Sequence, residues 1–185
     1  KLGKLKLVSA TFCQFSSRYP ALLAGKASPV LDHAFAGGAL MDINLYNIHF
    51  VVGLFGAPKS VRYFANRHET GVDPSGIVIL EYEDFQCQCT GAKDSAARNG
   101  VQIIGEDGYM EVTPIASNCQ NVELHVRGQE SVSSHMPENA WYYEVQDIGR
   151  IVAAEDYDYC YNALDTTHNV VDVLEKARKY AGFGF

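Results

Sequence analysis

From Ser60 onward, apolar and polar side chains alternate with a period of two, and this pattern constrains the fold more than any other feature. Seven short segments carry it, at residues 60–66, 76–83, 86–94, 101–105, 109–113, 121–127 and 129–133. Several links between them are tight turns, such as Glu106-Asp107-Gly108. A parallel crossover needs a dozen or more residues, so links this short exclude βαβ units and predict an antiparallel meander.

Helical periodicity lies on both sides of this region. A strand is expected first, at residues 5–12, and a helix follows within residues 37–56. The apolar stripe of that helix, expected to pack on the sheet, comprises Met41, Leu45, Ile48, Val52 and Phe55. Two later stripes predict further helices, one with Trp141, Val145, Ile148 and Val152 and one, starting near His168, with Val170, Val173, Leu174 and Ala177. The sequence therefore predicts an α+β fold, a predominantly antiparallel sheet with helices packed on one face.

These helices are expected to cover only one face of such a sheet. The other face should carry apolar side chains at alternate positions, among them Ile79, Val101 or Ile103. An uncovered apolar face usually associates with another surface. The open face is therefore predicted to serve in homo-oligomerisation, most simply as a dimer.

Length and charge exclude several classes of protein. With 185 residues and no internal repeat or linker, the chain is expected to form one domain, residues 1–185. The 15 basic and 22 acidic residues give a formal net charge of -7, which argues against a nucleic-acid-binding surface. No apolar run approaches the length of a membrane span and no signal-peptide pattern is visible, so a cytoplasmic location without membrane contact is expected. The chain begins at Lys1 and enters a strand pattern almost at once, as expected for a piece of a longer protein.

Five cysteines at irregular spacing favour reduced thiols over a disulfide framework. Cys87 and Cys89 leave two alternatives open. They could belong to a metal site, which would make the chain a zinc protein, but no second Cys/His pair with zinc-finger spacing accompanies them. They could instead be two small residues on one face of a strand. The second alternative is favoured, and no metal is expected.

The helix predicted within residues 37–56 also carries three chemically able side chains, Asp42, Tyr46 and His49. Because a helix turns about 100° per residue, they span a sector of roughly 60° beside the apolar stripe. They can therefore point into the same space. The spacing alone leaves two alternatives, a solvated polar flank with His49 bonded to a backbone carbonyl, or a functional site.

The order of several short segments resembles the C-terminal domain of the Gfo/Idh/MocA family, named after glucose-fructose oxidoreductase, inositol dehydrogenase and rhizopine catabolism proteins. The similar segments are residues 37–46, 54–58, 70–73, 105–112 and 170–182, and together they extend over nearly the whole chain. The resemblance implies a sheet-plus-helices domain that follows an N-terminal Rossmann domain in NAD(P)-dependent oxidoreductases of sugars, cyclitols and polyols. The Rossmann half and the family's Glu-Lys-Pro motif, whose lysine lies at the nicotinamide, are not found in these residues. The chain by itself is therefore expected to hold no cofactor and to be inactive.

The resemblance also implies roles for particular residues. Family enzymes carry an aspartate followed four residues later by histidine or tyrosine, which matches Asp42 and Tyr46. Tyr46 is the candidate for handling the proton on the substrate oxygen, and Asp42 the candidate for binding a substrate hydroxyl and orienting the family's lysine. A phenol with its ordinary pKa of about 10 needs such a cation nearby to act as a base at neutral pH. His49, Arg18 and Tyr19 are candidates for contacts with the substrate, with plain structural roles as the alternative.

Two departures from the family pattern bear on the substrate. Asn44 stands where the family often has glycine, and Tyr46 replaces the histidine of the inositol-dehydrogenase type. The tyrosine favours the sugar-oxidoreductase or dihydrodiol-dehydrogenase type. The predicted function is the substrate-binding half of an oxidoreductase that transfers a hydride between NAD or NADP and a sugar, polyol or related carbinol. The alternative is a non-catalytic ligand-binding or dimerisation module of the same fold.

Overall fold

The computed structural model describes residues 1–26, 28–137, 139 and 141–183. The strands in this part of the chain are β1 (Leu5–Cys13), β2 (Ser60–Asn66), β3 (Ser75–Glu81), β4 (Gln86–Ala92), β5 (Gly100–Gly105), β6 (Gly108–Ile115), β7 (Asn118–Val126) and β8 (Val132–His135). They form one eight-stranded sheet in the order β2-β3-β4-β1-β5-β6-β7-β8. The predicted strands are confirmed, with ends that differ by a few residues.

The sheet is not one continuous meander, because β1 separates β4 from β5. Two antiparallel meanders, β2 to β4 and β5 to β8, lie on either side of β1. β1 runs parallel to β4, with Val8 opposite Cys87 and Phe12 opposite Gly91, and antiparallel to β5. The prediction of an uninterrupted meander was wrong at this point because the link of residues 93–99 is long enough to pass one strand, a distance of about 10 Å.

Helices cover one face of the sheet. They are α1 (Tyr19–Leu23), α2 (Leu45–Phe55), α3 (Tyr142–Ala154) and α4 (Tyr157–Tyr180), with 3-10 turns at Pro29–Leu31 and His33–Phe35 and a π-helical turn, Leu40–Asn44, that leads directly into α2. α2 packs on β4 and β1, whereas α4 packs on α2 and β2. The buried residues of α4 include the predicted stripe, Val170, Val173, Leu174 and Ala177. The α+β class, with helices on one face of a mostly antiparallel sheet, is confirmed.

α4 begins earlier than the sequence indicated. Its first residue is Tyr157, so His168 lies in the middle of the helix rather than near its start. The Asp156 carboxylate caps the helix by accepting a hydrogen bond from the backbone N–H of Tyr159 at 3.0 Å. Tyr157, Tyr159 and Tyr161 are all exposed. Their alternation with polar residues resembles a strand or loop pattern and so hides the helical period.

α3 forms where its periodicity predicted, but its apolar stripe lies on the surface of the domain. Trp141 is 66% exposed and Val152 is 70% exposed, and Val145 and Ile148 between them are exposed as well. α3 packs against α4. A predicted core face is thus a contiguous apolar surface in this chain.

The buried side of the helix formed by residues 40–55 lies one position earlier than predicted. Ile48 and Val52 are buried as expected, whereas Met41, Leu45 and Phe55 are only partly buried. The positions buried in their place are Leu40, Ile43, Asn44, Asn47 and Val51. A π-helical turn holds more residues than an α-helical turn, which shifts the phase of the stripe and brings two asparagines against the sheet.

The uncovered face of the sheet mixes apolar and polar side chains. The strand register aligns Ile79, Gln88 and Ser9 across three neighbouring strands, with Ile77 on the same face of β3. Ile77 is exposed and Ile79 is partly exposed. The prediction that Ile79 lies on the open face is therefore confirmed.

Val101 and Ile103 were wrongly predicted to lie on that open face. Both are buried in the core on the helix side, because they pair with Ala10 and Val8, which are themselves buried there. Alternation fixes which residues share a face of a strand, but it does not say which face meets the helices. That choice comes from the pairing with β1.

Contrary to the expectation from the sequence, one apolar stretch in the described residues, His33–Phe55, is long enough to cross a membrane by length and composition, with a mean hydropathy of 1.2. Half of that window, 50%, is buried inside the protein. Its buried apolar side chains, among them Leu40, Ile48 and Val51, belong to the main hydrophobic core. The stretch is therefore accounted for as a core helix.

The carboxylate of Asp73 anchors the start of the same helix. Asp73 Oδ2 accepts hydrogen bonds from Leu40 N at 2.9 Å and from the Tyr63 hydroxyl at 2.5 Å, and the Asp73 carbonyl oxygen accepts one from Ala39 N at 2.6 Å. The first N–H groups of a helix have no partner within the helix, so a residue distant in sequence supplies one here. The helix that carries Asp42 is thereby tied to β2 through a buried network.

Gly38 is required beside this anchor. Its φ is +128°, and a Cβ at this position would lie 1.8 Å from Asp73 Oδ1. We expect Gly38→Ala to lower the free energy of unfolding by about 3 kcal/mol or more, because it adds left-handed backbone strain to a buried clash. Urea denaturation measures the change.

Gly53→Ala is the matched control for that substitution. Gly53 lies in α2, and a Cβ there meets nothing within 4 Å. Alanine should raise the free energy of unfolding by roughly 0.5–1 kcal/mol through helix propensity. Equal effects of the two substitutions would contradict the anchoring role of the Gly38 and Asp73 contact.

The buried position of Asp73 predicts a pH dependence of stability. Burial raises the pKa of Asp73, and this outweighs the opposing effects of the hydrogen bonds from Tyr63 and Leu40 and of the Arg178 charge. An acid with a raised pKa binds its proton more tightly in the folded state, so its contribution to stability is fully present below the unfolded pKa of about 3.9. That contribution is lost as pH rises through the folded-state pKa.

Asp73→Asn removes the ionisable group, so a comparison with the wild type gives the size of the pH-dependent contribution of Asp73 to stability. The quantity to follow is the free energy of unfolding of the wild type minus that of Asp73→Asn. We expect this difference to fall as pH rises from about 4 through the folded-state pKa. The total fall should be about 1.4 kcal/mol for each unit by which the pKa is raised. Urea denaturation across a series of pH values gives the difference. A flat difference would show that burial does not control the ionisation of Asp73.

Candidate functional site

The three polar side chains predicted to share a face of the helix do lie together on its exposed side. The Asp42 side chain is 41% exposed, Tyr46 is 45% exposed and His49 is exposed. The opposite side of the helix is buried against the sheet. The three side chains therefore face solvent from a helix that is itself held in place.

Two buried asparagines hold the helix against β4. Asn44 Nδ2 donates to the carbonyl oxygen of Cys89 at 2.9 Å, and Asn47 Nδ2 donates to Asn44 Oδ1 at 2.9 Å and to the carbonyl oxygen of Thr90 at 3.0 Å. A Cβ on Gly91 would lie 2.6 Å from Asn44 Cβ, so the helix lies very close to the strand. Asn44 thus holds the helix against β4, a role that its helical position in the sequence did not reveal.

Lys93, which the sequence analysis missed, pairs with Asp42. Its ammonium group forms a hydrogen-bonded ion pair with Asp42 Oδ2, and the Lys93 side chain is only 8% exposed. Lys93 follows directly after β4. In a strand, side chains alternate between faces, so Lys93 falls on the same side as Cys87 and Cys89. That alternation is the signal that could have located it, once the structure shows that Cys87 and Cys89 are buried in the core.

Tyr46 lies above the end of β1. Its ring is 6.0 Å from the ring of Phe12, measured between centroids, and the planes are tilted by 50°. Phe12 is opposite Gly91 of β4 in the parallel register. Because parallel strands end at the same edge of a sheet, Asp42 and Tyr46 lie at the carboxyl ends of β1 and β4.

The remaining predicted site residues lie on other elements or farther along the helix. His49 lines a shallow cavity of about 380 Å³ with residues of α4, namely Tyr159, Asn162, Ala163 and Thr166. Arg18 is exposed at the start of α1, and the segment before it is fixed by a hydrogen bond from Ser16 N to the carbonyl oxygen of Lys93 at 2.8 Å. His49 thus lies against α4 and Arg18 at the start of α1, and the contacts of both with a substrate stay predictions.

Tyr19 has a packing role in this structure. Its ring meets that of Phe15 edge-on at 5.9 Å, and it packs against a small core of Leu22, Leu31 and Val72. This is the structural alternative considered for the turn after β1. The use of Tyr19 in substrate binding stays a prediction.

The cysteines lie side by side in the core, as expected for two small residues on one face of a strand. Cys87 and Cys89 are both buried. Burial raises the pKa of the Cys87 thiol to about 12, and burial, with a smaller effect of Cys87, also raises the pKa of Cys89. A metal binds the thiolate form, which these surroundings disfavour.

A different group of side chains could hold a divalent cation. Donor atoms of Glu111, Glu123 and His125 lie within 4.8 Å of one another. Gln102 Nε2 donates to Glu111 at 2.6 Å, and His125 Nε2 is 3.4 Å from a Glu123 carboxylate oxygen. These residues lie on the open face of the sheet, whereas Asp42 lies on the helix side. They are therefore not part of the site around Asp42.

The arrangement around Asp42 suits hydroxyl chemistry. A carboxylate paired with an ammonium group can accept a hydrogen bond from an alcohol, and a nearby phenol can exchange a proton with an oxygen. The described residues include no glycine-rich turn between a strand and a helix of the kind that binds a dinucleotide.

Comparison with known proteins places the chain in a family. A family model described as the GFO/IDH/MocA C-terminal domain matches residues 1–111. The scyllo-inositol 2-dehydrogenase (NADP(+)) IolU of Bacillus subtilis (strain 168) is 31% identical over 184 residues, which cover 98% of this chain and 56% of that protein. The trans-1,2-dihydrobenzene-1,2-diol dehydrogenase of Danio rerio is 29% identical over 195 residues, covering 98% of this chain and 55% of that protein.

A solved structure shows the same fold. An inositol dehydrogenase homolog from Azotobacter vinelandii, complexed with NADH and myo-inositol, matches with a TM-score of 0.69 and 12% identity over 99% of this chain and 56% of that chain. The chain thus spans about half the length of each of these proteins. It belongs to the Gfo/Idh/MocA family and corresponds to the C-terminal domain of its members.

Proposed function

We propose that this chain is the substrate-binding half of an oxidoreductase that transfers a hydride between NAD or NADP and a carbinol carbon of a polyol. The observation that carries the proposal is the pairing of Asp42 with Lys93 beside Tyr46 on the exposed face of a fixed helix. The family supports it, because relatives are named as NADP-dependent or diol dehydrogenases. A Rossmann domain in the longer protein would hold the cofactor.

The substrate class proposed is a cyclic compound with neighbouring hydroxyl groups. The Bacillus subtilis relative is named for scyllo-inositol and the Danio rerio relative for a dihydrobenzene-1,2-diol. Both names describe a six-membered ring with vicinal hydroxyls. A site with one carboxylate and one phenol on the same helix face can address two adjacent oxygens, one at Asp42 and one at Tyr46.

Tyr46 and Asp42 would divide the chemistry between them. When bound, the nicotinamide accepts or supplies the hydride at the carbinol carbon. In oxidation, Tyr46 as the phenolate would take the proton from the oxygen of that carbon; in reduction, Tyr46 as the phenol would return it. Asp42 would accept a hydrogen bond from a substrate hydroxyl and so hold the ring in register with Tyr46. Phe12 would support the Tyr46 ring from below, as its position in the structure suggests.

The open face of the sheet is proposed as the surface of a homodimer. Ile77, Ile79 and Leu7 are exposed or partly exposed on it. A face that mixes such side chains with Gln88 and Ser9 resembles ordinary protein interfaces, which combine apolar and polar area. We also propose a cytoplasmic location for the enzyme, where reduced cysteines are usual.

A non-catalytic binding or dimerisation module is the second candidate. The side chain of His49 faces a cavity against α4 that could hold a ligand without any turnover. The two candidates differ in one observable, which is nicotinamide-dependent conversion of a polyol by the longer protein.

The proposed roles predict the effect of two substitutions in the full-length protein. Tyr46→Phe should lower kcat about 10²–10⁴-fold, because it removes a group that exchanges a proton in the transition state. Asp42→Ala should mainly raise KM and lower kcat/KM, because it removes a contact to the bound hydroxyl. Initial rates with NAD and NADP, on scyllo-inositol and on a cyclic trans-diol, measure both effects.

Tyr109→Phe is the control for these substitutions, because Tyr109 lies on the open face of the sheet and stacks on His125. It should leave the rates unchanged. If Tyr46→Phe and Asp42→Ala also leave turnover unchanged on every accepted substrate, the assigned roles are wrong. A wild-type protein without turnover on any polyol would favour the non-catalytic module.

The dimer proposal predicts a change of molecular mass. Ile77→Lys combined with Ile79→Lys should convert a dimer into a monomer, because two charges would be buried without partners at the proposed interface. Light scattering after gel filtration gives the mass. Val171→Lys, on the exposed side of α4, is the control and should leave the dimer intact. A dimer that survives both lysines would place the interface elsewhere.

A further inference from the structure

We infer that Lys93 is a positioning residue of this site, which holds the Asp42 carboxylate in the orientation that receives the substrate hydroxyl. The inference rests on the proposed function, since it assigns a role within that reaction. It also differs from the expectation drawn from the family, in which the lysine oriented by the aspartate comes from the other half of the protein. Here a lysine of the same chain occupies one oxygen of Asp42.

The exposure of the two partners is strongly unequal. The Lys93 side chain is 8% exposed, whereas that of Asp42 is 41% exposed. By contrast, the exposed pair of Lys6 and Glu106 has side chains that are 49% and 48% exposed. An exposed ion pair contributes little to stability. In the pair of Lys93 and Asp42, the buried ammonium group holds the carboxylate from the protein side, while the carboxylate stays half-exposed.

Burial makes the contact with Asp42 hard to replace. An ammonium group that loses its hydration needs a charged or strongly polar partner close by. Asp42 supplies that partner through Oδ2. A carboxylate has two oxygens, so Oδ1 is left for a hydrogen bond from a substrate hydroxyl. Lys93 therefore restricts the rotation of the carboxylate without occupying all of it.

The backbone of Lys93 is fixed as firmly as its side chain. Lys93 N donates to the carbonyl oxygen of Pro74 at 2.8 Å, and the Lys93 carbonyl oxygen accepts a hydrogen bond from Ser16 N at 2.8 Å. Pro74 directly follows Asp73, whose carboxylate anchors the helix that carries Asp42. The lysine and its partner are thus held by adjacent residues of one loop. Their relative position is set before any substrate arrives.

The test uses substitutions at Lys93 in the full-length protein. Lys93→Met keeps the length of the side chain and removes the charge. We expect KM for the polyol to rise about tenfold with kcat changed less than about threefold, because Asp42 loses its orientation in the bound complex. Lys93→Arg keeps a cation and should restore KM to within about threefold of the wild-type value. If thermal denaturation shows that Lys93→Met is not folded, Lys93→Gln serves as a second neutral variant.

A double substitution separates positioning from plain support of the fold. If Lys93 acts through Asp42, then Lys93→Met combined with Asp42→Asn should have the same KM as Asp42→Asn alone. A structural role would make the two effects multiply. Lys6→Met, which removes the lysine of an exposed ion pair, is the matched control and should leave KM unchanged.

The outcomes distinguish this inference from the proposed function. Turnover by the wild type with an unchanged KM in Lys93→Met, or with multiplying effects in the double variant, would overturn the role of Lys93 alone. If the wild type shows no turnover, the proposed function is overturned. Calorimetric titration with scyllo-inositol would then test the role of Lys93, by comparing the affinities of the same single and double variants in place of their KM values. The absence of both turnover and binding would overturn both.

Discussion

The buried carboxylate of Asp73 is the interaction on which the geometry of the site depends. Burying a carboxylate costs free energy, as its raised pKa indicates, and hydrogen bonds from Tyr63 and Leu40 with the charge of Arg178 offset part of that cost. In return, one side chain joins β2 to the start of the helix that carries Asp42 and Tyr46. The carbonyl oxygen of the next residue, Pro74, accepts a hydrogen bond from the backbone N–H of Lys93. One short loop thus fixes both partners of the ion pair.

The insertion of β1 beside β4 decides where the site lies. A continuous meander would have placed an antiparallel neighbour beside β4, and the two strands would then end at opposite edges. With the parallel pairing, the chain leaves both strands at the same edge, which brings Phe12 beneath Tyr46 and Lys93 beneath Asp42. The segment after β1 is tied to Lys93 through Ser16. The exception to the antiparallel pattern is therefore what assembles the candidate site.

Sequence periodicity predicted the strands and the shared face of Asp42, Tyr46 and His49, because both follow from local geometry. It could not predict the parallel pairing of β1, which depends on the path of the link 93–99, or the face on which Val101 lies, which depends on that pairing. The π-helical turn shifts the buried stripe of the helix, and a prediction that assumes a regular helical period misses this shift. Lys93 was overlooked because a lysine at a strand end is ordinarily solvated, and only the position of the helix buries it.

The two sides of the helix have different roles, because the buried side fixes the helix on the sheet and the exposed side carries the candidate site residues. On the buried side, Asn44 and Asn47 use their amides on the carbonyl oxygens of β4, so that the helix can neither slide nor rotate without leaving buried polar groups unpaired. On the exposed side, Asp42 and Tyr46 are left free of such structural bonds to the sheet backbone. A site that must place a carboxylate and a phenol against two adjacent hydroxyls needs this rigidity, because small errors of position weaken an oriented reaction strongly. The asparagine in place of a glycine is therefore better understood as part of the site's support than as a neutral departure.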